Sequence, residues 1–242
     1  MARVVVQSGL HSDQLPLPSY EKMTLSVVSA FLRLGEKYAI PALTEEAKAK
    51  LCCAFEATSL DTASFLTPHV ELFPAITGSD PHKFQLMNLL QKMGLKAPLP
   101  IAMYQCIITC PLGDIVDGYR AKGSFYALST ANLLSFIRMK DILEKYRLTL
   151  AKNLCTSPSC KSNCVHNIQQ LWSEDLNVVP PFDFWRSKWD KVFCGPCVSM
   201  LKAKHETEMK KAWNQVPTAF GFDSWAEVKK SGDFPSFIIR AC

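Results

Sequence analysis

The sequence predicts a mostly α-helical protein with a cysteine-rich C-terminal subdomain that zinc holds together. Apolar residues recur at three- and four-residue spacing through much of residues 24–153, which is the period of an amphipathic helix. A β-strand pattern occurs only in the short stretch 4–6, which needs a partner strand to form a sheet. Five of the ten cysteines lie in two clusters between residues 155 and 197. We divide the chain into regions 1–57, 58–153 and 154–242.

Region 1–57 is predicted to contain a pair of helices. The first begins near Thr24, and its buried face is expected to be formed by Leu25, Val28, Leu32 and Gly35. The second begins near Pro41, because proline is tolerated in the first turn of a helix. Its apolar face is expected to be formed by Ile40, Leu43, Ala47 and Leu51.

Region 58–153 is predicted to contain three further helices. An apolar stripe over residues 84–93 forms the first, which Gly94 terminates. Pro98 and Pro100 introduce the second. Residues 111–128 contain one proline and three glycines and are predicted to form a loop. Thr130 then caps a longer helix, whose inward-facing residues are expected to be Leu133, Ile137, Leu143, Tyr146 and Leu150.

Region 154–242 contains the only pattern in the chain that indicates a binding chemistry. Cys194-Gly-Pro-Cys197 is a tight turn that aims two sulfur atoms at one point, as the ligand pairs of structural zinc sites do. The other two ligands are expected among the alternatives Cys155, Cys160, Cys164, His166 and His205. Cys164 is expected on a following helix with its sulfur turned away. Four protein ligands leave no position for water, so the zinc ion is expected to be structural and to staple segment 155–197 to the last long helix.

The end of the chain is predicted to be helical as well. The last long helix is expected from about Val198 to Trp213, and Pro217 stops it. A final short turn of helix follows, for which Asp223 is the expected N-cap. The charged run 202–211 mixes lysines with glutamates, which indicates a solvated helix face rather than a nucleic-acid footprint.

Four elements, in the order in which they occur, resemble a known family. Phe31-Leu-Arg-Leu-Gly-Glu-Lys-Tyr-Ala-Ile-Pro-Ala-Leu43, continuing to Leu51, resembles the last helical pair of BTB/POZ domains. Leu99-Pro-Ile-Ala-Met-Tyr104, the stretch Trp189 to Cys197 and the closing segment Trp213 to Trp225 resemble the later elements of the BTB proteins of mushroom-forming fungi. This resemblance implies that Cys155 and Cys160 complete the zinc site with Cys194 and Cys197.

The resemblance also implies a function, with one departure. Complete BTB domains have roughly a hundred residues with a sheet, whereas about twenty residues precede the Lys-Tyr helix here, so region 1–57 is expected to be a truncated BTB remnant. BTB proteins act as adaptors for ubiquitin ligases or as transcriptional co-regulators, so a non-catalytic protein-interaction module with unidentified protein partners is expected. Homodimerisation is not expected, because the dimerising core of the fold is absent.

Two other functions are compatible with the same cysteines. Cys194 and Cys197 resemble the Cys-x-x-Cys of thioredoxin-like redox proteins, although no strand is predicted before them. A zinc-dependent nucleic-acid binder is the third hypothesis, which the mild net charge of +5 does not favour. No apolar run reaches the ~20 residues of a membrane span, and the N-terminus lacks a signal-peptide pattern. The predicted compartment is therefore the cytosol or the nucleus, with reduced cysteines.

Overall fold

Helices dominate the structure, which confirms the predicted mostly α class. The computed structural model describes residues 23–53, 76–77, 80–121, 123–155 and 193–231, together with residues 164, 167, 182, 185 and 187–191. In chain order, the elements are β1 (Met23–Thr24), α1 (Leu25–Lys37), α2 (Pro41–Cys53), β2 (Ile76–Thr77), α3 (Asp80–Lys92), α4 (Leu99–Thr109), α5 (Leu112–Asp117), β3 (Tyr119–Ala121), β4 (Ser124–Tyr126), α6 (Thr130–Cys155), α7 (Ser187–Asp190), α8 (Gly195–Gln215), a 3₁₀ helix (Val216–Phe220) and α9 (Trp225–Lys230).

The α1–α2 pair is close to its prediction. The side-chain oxygen of Thr24 accepts a hydrogen bond from the Val27 amide at 3.4 Å and so caps α1. The residues that α1 buries are the predicted ones, Leu25, Val28, Leu32 and Gly35. Gly35 is needed there, because a Cβ atom at this position would collide with Thr44 of α2. On α2, Ala47 and Leu51 are buried, whereas Leu43 is half-buried and Ile40, just before the helix, is exposed.

Strand β1 pairs with β2 in parallel, which brings together two chain segments that lie about fifty residues apart in sequence. Strand β1 leads directly into α1, and β2 is followed by α3. Helix α3 buries Phe84, Met87 and Leu90 as predicted, and Gly94 follows it with a φ of 69°. Helix α4 begins at Leu99, also as predicted. The pairing therefore places α1 and α3 next to each other.

Residues 111–128 are not the predicted loop. They form the short helix α5 and an antiparallel hairpin of β3 and β4, in which Tyr119 pairs with Tyr126. The glycines mark special backbone positions instead: Gly118 has a φ of 73° and Gly123 a φ of 78°. Strands of three residues are too short to show a period in the sequence, which explains the error.

Helix α6 confirms three of its predicted inward residues and corrects one. Leu143, Tyr146 and Leu150 are buried, and Leu133 is half-buried, but Ile137 is 54% exposed. Its neighbours Phe136 and Met139 are buried instead. Apolar side chains lie on more than one face of this helix, and packing against α3, α4 and α8 selects the face that is buried. The cap is Ser129 rather than Thr130, since the Asn132 amide donates to the Ser129 hydroxyl at 3.4 Å.

The C-terminal elements differ from their predictions at their ends. Helix α8 begins at Gly195, inside the cysteine motif, rather than at Val198. The N-cap of α9 is Ser224, which accepts a hydrogen bond from the Glu227 amide at 3.3 Å, and not Asp223. Lysines and glutamates of α8 form exposed ion pairs with one another, as the mixed charge pattern predicts.

The hydrophobic core runs from α1 to α9 through buried side chains of α3, α4, α6 and α8. No helix in the described part of the chain combines the length and the apolar character that crossing a membrane requires. The predicted β-piece at residues 4–6 lies outside the described residues, and the division into three regions stays a prediction.

Candidate metal centre

The Cys-x-x-Cys motif lies at the N-terminus of α8, a helix of 21 residues. Cys194 is the N-cap residue, with extended backbone angles of −71° and 153°, and its carbonyl accepts the first helical hydrogen bond from the Val198 amide at 2.9 Å. Cys197 lies in the first turn and is 2% exposed, whereas Cys194 is exposed. The helix therefore begins between the two cysteines and carries both sulfur atoms at its positive end.

Cys164 joins these two cysteines from thirty residues away. Its Sγ atom accepts a hydrogen bond from the backbone N–H of Cys194 at 3.4 Å. The Sγ atoms of Cys164, Cys194 and Cys197 all lie within 4.8 Å of one another. Cys164 is itself buried, with 6% of its surface exposed. One chain segment thus brings a third sulfur to the first turn of α8.

This arrangement has the chemistry of a thiolate metal site. Tetrahedral zinc with Zn–S distances of about 2.3 Å places its sulfur ligands about 3.8 Å apart, so the three sulfur atoms need to approach one another by at most about 1 Å. The backbone N–H of Cys194 donates to the Cys164 sulfur, and the three sulfur atoms lie at the positive end of α8. The three residues fit a soft divalent ion as three of its ligands.

The predicted ligands have different outcomes. Cys194 and Cys197 come together, as expected. Cys155 is the last residue of α6, and its side chain, like Cys160 and His166, lies outside the described residues, so their part in the site stays a prediction. The sequence expectation that the sulfur of Cys164 turns away is wrong: this atom is the one that meets the motif.

His205, the remaining alternative ligand, packs among aromatic rings. It is 4% exposed, and its ring centroid lies 5.9 Å from that of Trp185 and 6.1 Å from that of Trp189. Trp185 is oriented by a hydrogen bond of 2.7 Å from its Nε1 atom to Asp190. Among the described residues, the group of metal-ligating side chains does not include His205. The aromatic rings therefore surround a histidine that lies about two turns beyond Cys197 on the same buried face of α8.

A second aromatic cluster joins this subdomain to the rest of the core. The backbone N–H of Phe182 donates to the hydroxyl of Tyr104 at 3.2 Å. The Phe182 ring also lies 5.3 Å from the ring of Trp213 and 5.9 Å from that of Tyr146. Burial raises the pKa of the Tyr146 hydroxyl well above its ordinary value, with a smaller contribution from Tyr104. Phe182, which lies between Cys164 and Cys194 in the sequence, thus contacts α4, α6 and α8 together.

Cys106 and Cys110 behave as packing residues. Cys106 on α4 is 1% exposed, and its Sγ lies 3.9 Å from that of the half-buried Cys110. Neither belongs to the group of three sulfur atoms. Free thiols in such positions pack as small apolar side chains.

Comparison with known proteins assigns no family to the chain. No protein-family model matches it, and neither the curated proteins nor the solved structures contain a significant match. The resemblance to BTB proteins therefore stays a prediction.

Proposed function

We propose that the chain is a non-catalytic protein-interaction module whose C-terminal subdomain is held by a structural zinc ion. The observation that carries the zinc part of this proposal is the convergence of Cys164, Cys194 and Cys197 on one point. Cys155, Cys160 and His166 are the candidates for the fourth ligand. A site closed by four protein ligands stabilises a fold and leaves no position for a reacting water.

Zinc at this position would connect chain segments that lie about thirty residues apart in sequence. Cys164 lies between α6 and α7, and the other two ligands lie at the start of α8. Binding free energy becomes folding free energy where a site forms only in the folded chain. We therefore expect loss of the metal to loosen the packing of α8 against α6.

The interaction part of the proposal is supported by α1. An exposed apolar stripe at helical spacing is formed by Val27 and Leu34 of α1 and by Tyr38, the residue that follows the helix. Val27 is 39% exposed, Leu34 43% and Tyr38 59%. Contiguous exposed apolar patches mark protein-binding surfaces, and we infer that this stripe is part of such a patch. The α1–α2 pair is also the part that resembles the last helical pair of BTB domains, whose adaptor or co-regulator functions, in the cytosol or nucleus, we extend to this chain by analogy.

Cobalt substitution tests the metal part. Three or four thiolates bound to Co²⁺ give intense sulfur-to-metal charge-transfer absorption, which we expect at one Co²⁺ per chain and displaced by one Zn²⁺. Cys197→Ser should abolish most of this absorption, whereas Cys110→Ser, the matched control, should keep it. Equal spectra for the two variants would refute the assignment.

Proximity labelling in cells tests the interaction part, with full-length wild type compared with Leu34→Ser. Because Leu34 is 43% exposed, the substitution should leave the melting temperature nearly unchanged. Proteins labelled by wild type and lost in the variant would support the stripe as the contact surface. An identical set of labelled proteins would contradict it.

A redox function is the second candidate, favoured by the asymmetry of the motif. Cys194 is exposed at the N-cap of a long helix, and Cys197 is buried three residues later, an arrangement that suits a nucleophilic and a resolving thiol. However, α7 rather than a strand precedes the motif in the described chain. Catalysed reduction of a disulfide substrate by the metal-free protein, abolished in Cys194→Ser, would favour this function over the structural one.

A further inference from the structure

A groove between α1 and α3 has the features of a small anion-binding site. It encloses a volume of about 440 Å³, which is within the usual range of ligand pockets. We propose that this α1–α3 groove binds a phosphate monoester group. The proposal is independent of the metal centre, because the groove lies at the other end of the chain from the three cysteines.

Among the described residues, the charged side chains that line the groove are both cations. They are Arg33 of α1 and Lys92 of α3, and no carboxylate of the described part of the chain lines it. The Nε atom of Arg33 donates to the carbonyl of Ser29, also a lining residue, at 3.2 Å. This bond directs the guanidinium back along α1 and uses its Nε atom, and no residue in the described part of the chain accepts a hydrogen bond from its terminal nitrogens. Neither cation forms an ion pair with a carboxylate in the described part of the chain.

The positive end of α6 lies behind one wall of the groove. That wall contains Asn88, whose Oδ1 atom accepts hydrogen bonds from the Ser129 amide at 2.8 Å and from Asn132 Nδ2 at 3.0 Å. Its Nδ2 atom donates to the carbonyl of Ala127 at 2.8 Å. These bonds fix Asn88 against the N-terminus of a helix of 26 residues, where the helix dipole favours negative charge.

A phosphate monoester matches this set of groups better than a carboxylate does. It carries close to two negative charges at neutral pH and offers three acceptor oxygens. The groove offers two cations, of which Arg33 can bind two oxygens at once, and the hydroxyls of Ser26 and Ser29. A carboxylate carries only one negative charge, so it would neutralise only one of the two positive charges. Glycerol phosphate is a suitable soluble probe because the groove also has apolar lining from leucines.

An NMR titration of the full-length protein with glycerol phosphate at constant ionic strength tests the proposal. We expect saturable shifts of amides in α1 and α3. Arg33→Gln and Lys92→Gln should each weaken binding about tenfold or more, because each removes a charge-assisted contact. Arg138→Gln, which removes an exposed positive charge on α6, is the matched control and should leave the affinity unchanged.

A second experiment distinguishes a lipid headgroup from a soluble ligand as the molecule that carries the phosphate group. Co-sedimentation with phosphatidic acid vesicles that glycerol phosphate and Arg33→Gln both abolish would assign a lipid headgroup, and no co-sedimentation together with glycerol phosphate binding would assign a soluble ligand. Either result supports the groove as a phosphate site. No saturable shift with glycerol phosphate, or equal affinity in wild type, Arg33→Gln and Lys92→Gln, would overturn the proposal.

Discussion

Replacing Cys164 by serine tests whether Cys164 is a zinc ligand that stabilises the folded protein. The sulfur of Cys164 accepts the Cys194 amide and lies within 4.8 Å of both other sulfur atoms. Structural zinc contributes about 10–16 kcal/mol to the folding of small zinc-finger peptides. Shared among four ligands, this is about 3 kcal/mol for each thiolate. Because 1 kcal/mol shifts the melting temperature of a chain of this size by about 2–4 °C, we expect Cys164→Ser to lower it by about 6–12 °C.

Cys106→Ser is the control for this change. Cys106 is as deeply buried as Cys164, so the same sulfur-to-oxygen replacement has a similar packing effect, but its sulfur faces Cys110 rather than the metal site. Melting of wild type and both variants is followed by circular dichroism with zinc and with a chelator. The chelator should lower the melting temperature of wild type and of Cys106→Ser, and it should change that of Cys164→Ser little. If Cys164→Ser keeps the full chelator-dependent shift, Cys164 is not a ligand.

Three further predictions concern the fold. Trp225→Phe should destabilise the protein by about 1 kcal/mol, because Trp225 Nε1 donates to the Trp213 carbonyl at 2.9 Å, and denaturant unfolding measures this loss. Gly118→Ala should destabilise more than Gly123→Ala: both residues have positive φ, but only at Gly118 would a Cβ atom strike the hairpin, 2.6 Å from a ring carbon. Tyr146→Phe should keep or raise stability at neutral pH, since the buried hydroxyl has no hydrogen-bond partner among the described residues. The raised pKa of Tyr146 keeps its proton in the folded state, so wild-type stability should fall as the pH rises above about 10, the unfolded pKa, and Tyr146→Phe should lose this part of the pH dependence.

Amphipathic helices with one apolar face were predictable from the sequence. In α1 the four residues that were predicted to face inward are the four that the structure buries, although Val27 and Leu34 of the same helix are apolar and exposed. In α6 apolar residues occupy several faces, so spacing alone could not decide that Phe136 is buried and Ile137 is exposed. That choice depends on which neighbours pack against the helix, and these come from distant parts of the chain.

The metal centre was also only partly predictable from the sequence. The pairing of Cys194 with Cys197 is local, and a turn of Gly and Pro is sufficient to predict it. Cys164 is a long-range partner, and three cysteines within ten residues give no information about which sulfur faces α8. The hydrogen bond from the Cys194 amide could be known only from the structure. A sequence signal did exist, since Cys164 is one member of the cluster from which the remaining ligands were expected.

Metal content per chain is the measurement that tests the central claim most directly. The full-length protein is purified reduced and without added metal, its zinc is quantified by mass spectrometry, and its helix content is followed as a chelator is added. The account predicts about one zinc per chain, whose removal is accompanied by loss of helix. Absence of zinc from protein that also fails to bind added Zn²⁺, with unchanged helix content in the chelator, would contradict the structural metal centre.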